Sequence, residues 1–106
     1  MDETGFNAAA QKAFQRLMAA ADALDPDVID SDSTGDMVTL TAANGEKCII
    51  NTQRATRQLW VAGKGQGIHF SLAPDGRWMD DKGKGLELFA FVDDVVQAMR
   101  GAAPSL

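Results

Sequence analysis

Two residue types that carry much of protein chemistry are almost missing from this 106-residue chain, which holds one cysteine, Cys48, and one histidine, His69. A lone thiol cannot close an internal disulfide, and inside an apolar run it behaves as a small hydrophobe, so a reducing compartment is expected. A hydrolytic or transfer enzyme needs a nucleophile with a base in hydrogen-bond reach, and no motif joins Cys48 to His69. The two do not fall at zinc-ligand spacing either. Catalysis is therefore not expected. No apolar run approaches the ~18 residues of a membrane span. The first residues, MDETGFNAAAQ, open with acids rather than a basic leader, so the expected location is the cytoplasm.

Lysine and arginine are also absent between Arg16 and Lys47, where Asp22, Asp25, Asp27, Asp30, Asp32, Asp36 and Glu46 all carry negative charge. From Lys47 to Arg77 the balance reverses, with Lys47, Arg54, Arg57, Lys64 and Arg77 against Asp75 alone. The net formal charge of -5 argues against nucleic acid or an anionic membrane as partner. The molecule is expected to be electrically lopsided.

What remains is a regular pattern. Phe6, Ala10, Ala13, Phe14, Leu17, Met18, Ala21 and Leu24 recur at helical spacing, predicting a helix from about Thr4 to Leu24 capped by Thr4 or Asp2 and ended by Pro26. Val28 to Ser33 reads as a strand with Ile29 and Ser31 on one side and Asp30 and Asp32 on the other. Met37 to Ala42 and Lys47 to Asn51 follow as a hairpin around Asn44-Gly45, a strong two-residue turn signal. Strands around Trp60, from Ile68 to Leu72 and around Trp78 come next. The glycines of GKGQG lie between two strands and so serve a hairpin, not a phosphate cradle. Leu86, Leu88, Phe89, Val92, Val95, Val96 and Met99 then predict a second amphipathic helix. The expectation is one α+β domain over residues 1–106, a two-layer α/β sandwich. An antiparallel meander of about six strands would carry both helices on one face and leave the other open.

That open face gives the stretch CIINTQRATRQLWVA its interest. Leu59 and Val61 point one way along their strand, while Gln58, Trp60 and Ala62 point the other. With Leu59 and Val61 in the core, Trp60 stands toward solvent, where a large ring marks a contact surface. The opposite facing would bury Trp60 and turn Gln58 inward without an obvious partner. His69, alternating with Ile68 and Phe70, reads as a surface histidine.

The acidic stretch admits two readings. Asp22 and Asp25 are expected in the last turn of the first helix, where a carboxylate costs ~0.3–1 kcal/mol against the helix dipole. Asp27, Asp30 and Asp32 add like charge nearby, which attracts cations or a basic protein surface. Carboxylates without thiolate or imidazole suit hard ions such as ferric iron, calcium or manganese, held weakly and exchangeably in the absence of a fixed cage. The other reading is a solvated acidic turn that serves solubility.

The order of helix, acidic strand, meander and helix, joined with particular residues, resembles a bacterial frataxin of the CyaY type over nearly the whole chain. The residues are the VTLTAANGEKCIIN hairpin, Asn51, Gln53, Gln58, Leu59 and Trp60, the HFSL strand, Arg77 and Trp78, and the DKGKGLELF entry to the second helix. The resemblance implies a non-enzymatic protein that binds ferrous or ferric iron weakly and regulates iron-sulfur cluster assembly, with no organic cofactor. It implies a ridge of Asp22, Asp25, Asp27, Asp30 and Asp32 for metal, and a sheet patch of Asn51, Gln53 and Trp60 for partners. Those partners would be a cysteine desulfurase and an iron-sulfur scaffold protein, bound by a chain that is monomeric without iron. Where relatives often place further acids at the end of the first helix, this chain has Met18, Ala19 and Ala23. An acidic interaction module with incidental metal binding is the alternative, and a ferroxidase, which needs a closely held iron pair, is a third.

Overall fold

The computed structural model describes residues 2–101, in the order α1 (Glu3–Asp22), β1 (Ile29–Thr34), β2 (Met37–Ala42), β3 (Lys47–Gln53), β4 (Gln58–Gly63), β5 (Gln66–Leu72), β6 (Trp78–Asp80) and α2 (Leu88–Gly101). The strands pair in sequence order as one six-stranded antiparallel meander. Both helices bury their apolar stripes on the same face of it, which is the sandwich expected. Met1 and residues 102–106 of the expected domain lie outside the described residues.

α1 starts where Asp2 accepts a hydrogen bond from the Gly5 N–H at 2.7 Å; Thr4, the other candidate cap, lies inside the first turn. Its buried side is Phe6, Ala10, Ala13, Leu17 and Ala21, an alanine-rich stripe. The helix ends at Asp22, before the expected Leu24, so Asp25 is not in its last turn. Instead the Asp25 carbonyl accepts from the N–H groups of Val28 and Ile29, both at 2.9 Å, and leads the chain into β1. α2 buries Leu88, Phe91, Val92, Val95, Val96 and Met99. Phe91, which sequence periodicity passed over, packs against Phe70 with ring centroids 5.9 Å apart. Phe6 meets Trp78 edge-on at 6.0 Å, and the Arg16 guanidinium lies 3.8 Å over the Phe89 ring, tying α1 to α2.

The turns depart from expectation in an instructive way. Asn44-Gly45 does not form a two-residue turn. Ala42 N–H donates to the Glu46 carbonyl at 2.8 Å and Gly45 N–H to the Ala42 carbonyl at 2.9 Å, which makes a three-residue loop with Gly45 left-handed at φ 92°. Ala73 to Arg77 repeats this arrangement, with Gly76 at φ 90°. The tight mirror-image turn falls at Lys64-Gly65, whose φ values of 52° and 72° are both positive.

Between β6 and α2 a single carboxylate organises the chain. Asp80, 9% exposed, accepts from the N–H groups of Lys84 (2.9 Å), Lys82 (3.1 Å) and Leu86 (2.8 Å). Glu87 then caps α2 by accepting from Phe89 N–H at 2.9 Å and Ala90 N–H at 3.1 Å, so the helix begins at Leu88 rather than Leu86. The hydrogen bonds to Asp80, that of Lys84 foremost, hold its carboxyl below the usual carboxylate range against the opposing effect of burial. A depressed folded-state value stabilises the fold above the unfolded value of about 3.9, and that contribution is lost as pH falls through the folded value. Asp80→Asn should lower the melting temperature at pH 7, with the gap to wild type closing below about pH 4. Thermal melts from pH 7 to pH 2 check this, and a gap that stays constant would contradict it.

Candidate functional site

The helices cover only one side of the sheet, so strand alternation assigns every side chain. Val38, Leu40, Cys48, Ile50, Leu59, Val61, Ile68 and Phe70 are buried beneath the helices. On the other side Asn51 is the direct partner of Trp60, and Trp60 that of His69. Trp60 is therefore on the uncovered face, half-buried, as the alternation of its strand predicts. Gln58 also lies there, with its Nε2 donating to Ser71 Oγ at 3.0 Å and Asp81 Oδ2 at 3.2 Å. Gln53 faces Gln58 across the β3–β4 ladder, so Asn51, Gln53 and Trp60 form one patch.

The indole reaches across to β5. A Cβ at Gly67 would come within 3.1 Å of its Cζ2 and Nε1 atoms, so the ring fills the space that the missing side chain leaves. The imidazole of His69 flanks it at 6.4 Å between centroids. Met37, 39% exposed, and the half-buried Ile49 extend the apolar surface toward β2. Sequence reading missed these two. The signal was the pair Ile49-Ile50, of which alternation must turn one outward.

The aspartates wrap around the β1 edge instead of lining one side. Asp30 and Asp32, paired with Thr41 and Thr39, share the uncovered face with Trp60. Asp22 is on the helix side, where it lines a groove of ≈ 290 Å³ with Met18, Ala21, Ser31, Asp32, Ser33 and Val38. Asp25 and Asp27 sit in the intervening loop, where Asp25 Oδ1 accepts from the Asp27 N–H at 2.9 Å. All five are exposed. Among the described residues no three His, Cys, Asp or Glu side chains come together as a metal-holding group. The donor set fits a hydrated hard cation touched by one or two carboxylates at a time, not a caged one.

Cys48 and Arg54 have structural places. The Cys48 thiol is fully buried, and burial pushes it up to about 12, so it stays protonated and unreactive. Arg54 of the basic half fastens its loop to α1 and to the β1–β2 turn, with Nη1 donating to Asn7 Oδ1 at 2.9 Å and Nη2 to Asp36 Oδ1 at 2.6 Å. An exposed pair of this kind contributes ~0–1 kcal/mol and mainly fixes position.

Three comparisons bear on this arrangement. The frataxin-like domain family matches residues 1–102. The iron-sulfur cluster assembly protein CyaY of Tolumonas auensis is 37% identical over 106 residues, covering 100% of this chain and 99% of that protein. The protein of the same name from Cupriavidus necator is 40% identical over 111 residues, covering 100% and 96%. The solved frataxin of Psychromonas ingrahamii superposes with a TM-score of 0.81 at 28% identity, over 92% of this chain and 90% of its own.

The pose of the indole yields a test. Gly67→Val should lift the ring off β5 and into solvent, shifting Trp60 fluorescence to the red while far-UV circular dichroism stays unchanged. An unshifted spectrum would show that Gly67 does not set the pose.

Proposed function

The chain belongs to the frataxin-like family, and on that premise we propose that it regulates iron-sulfur cluster assembly in the cytoplasm, docking on a cysteine desulfurase and its scaffold protein and carrying iron weakly as cargo. One observation carries the docking half: a half-buried tryptophan on an uncovered sheet face beside Asn51 and Gln53, with Met37 and Ile49 extending it. An aromatic anchor with a polar rim is the make-up of a binding hot spot. The iron half rests on the exposed Asp22, Asp25, Asp27, Asp30 and Asp32, whose oxygens suit a hard, hydrated, exchangeable ion, ferrous or ferric. Without iron the protein acts as a monomer and needs no organic cofactor. Its contribution is contact and charge, not a catalytic step.

A second reading has one observation in its favour. Since no three acidic side chains converge among the described residues, the ridge would serve as an electrostatic docking strip and metal binding would be incidental. Replacing Asp25, Asp27 and Asp30 with Asn separates the two. Loss of desulfurase affinity that is the same with and without iron supports docking, and loss only with iron supports a cargo role.

Iron added to the labelled protein should perturb the amide signals of Asp22 to Asp32 first; a response centred on His69 would reject these ligands. Trp60→Ala should weaken desulfurase binding by about 2 kcal/mol, roughly thirtyfold. The melting temperature should move by no more than about 5 °C. A collapse in stability with unchanged affinity would make the ring structural.

A further inference from the structure

We infer that the free edge of β1 is a strand-addition site for a basic, extended segment of a partner protein. The backbone makes the site. Ala43 N–H donates to the Val28 carbonyl at 3.2 Å, and antiparallel pairs alternate between hydrogen-bonded and non-bonded. Continuing that register through Asp30–Thr41 and Asp32–Thr39, the aspartates spend their N–H and C=O groups on β2, while Ser31 and Ser33 direct theirs away from the sheet. Both serines are exposed; the Asp25 carbonyl takes the outward N–H of Ile29 at the start of the strand, and among the described residues no strand pairs with this edge at Ser31 or Ser33.

The opposite edge shows how this fold closes a strand. β6 is only three residues long, bridges to the chain at Met79–Glu87, and is wrapped by the loop that Asp80 holds. β1 runs for six residues, IDSDST, with an unbroken register and without proline or lysine. A long open edge of this kind is a template for another strand.

The flanking charges choose the occupant. A second copy is disfavoured, because whether Ser31 pairs with its own counterpart or with Ser33, an aspartate then faces an aspartate. A cationic strand meets the reverse situation. Its side chains on the uncovered side would lie opposite Asp30 and Asp32, two positions apart, and those on the helix side would enter the ≈ 290 Å³ groove at Asp22. The fit is to alternating lysine or arginine with small residues between them. This deepens the docking part of the function proposed above and requires no iron.

The test uses the ¹⁵N-labelled protein and two peptides of equal charge, Lys-Thr-Lys-Thr-Lys and its fully backbone-N-methylated form. The first should shift the Ser31 and Ser33 amides most and slow their hydrogen exchange. The methylated form should bind at least about tenfold more weakly, since it cannot donate from its main chain. Ser33→Pro and Ser31→Pro remove outward N–H groups while leaving the β1–β2 ladder intact, so each should keep the fold and lose the response. Equal binding of the two peptides, or an unchanged response in either folded variant, would overturn strand addition and leave plain charge attraction. Failure of the desulfurase to bind wild type would instead remove the docking reading, with the peptide result still deciding the edge.

Discussion

Everything in this molecule depends on a pleated sheet that is covered on one side only. Leu59, Val61, Ile50 and Phe70 are completely buried under the helices, and each such side chain contributes about 1.5–3 kcal/mol by leaving water. A slip of one residue in β4 would exchange its two, Leu59 and Val61, for Gln58, Trp60 and Ala62. The core therefore enforces the outward facing of the tryptophan. The absent side chain of Gly67 then leaves room beside β5 that the indole takes up.

The same asymmetry governs charge and edges. The last turn of α1 carries Asp22 and no basic residue, an arrangement that runs against the helix dipole by ~0.3–1 kcal/mol. Asp80 is the counter-example, a carboxylate placed where backbone N–H groups converge on it and where it closes the β6 end. Asp80 is thus fixed in the fold, and Asp22, Asp27, Asp30 and Asp32 are left exposed around β1 at its open end.

Much of this was legible in the sequence because periodicity is a local property. The two helices, the six strands and the facing of Asp30, Asp32 and Trp60 all follow from spacings of two, three and four residues. What was not legible depends on partners distant in the chain. Asn44-Gly45 suits a two-residue turn, yet the pairing of Ala42 with Glu46 adds a residue to the loop. Asp25 falls beyond α1 because its carbonyl is engaged with Val28 and Ile29. Asp80 gave only the faint signal of an acid ahead of a glycine-rich loop. The acidic stretch reads as one strip in sequence, but the edge strand divides it between two sides of the sheet.

The central claim is that the uncovered face and the β1 edge together form the surface that meets the partner. Mapping the amide and indole signals of the labelled protein in the presence of unlabelled desulfurase and scaffold tests it most directly. Broadening should concentrate on Asn51, Gln53, the Trp60 Nε1–H and the strand from Asp30 to Ser33, with Lys12, Ala19 and Asp94 on the outer helix surfaces unaffected. A footprint on those helix surfaces, with the Trp60 indole unchanged, would contradict the account.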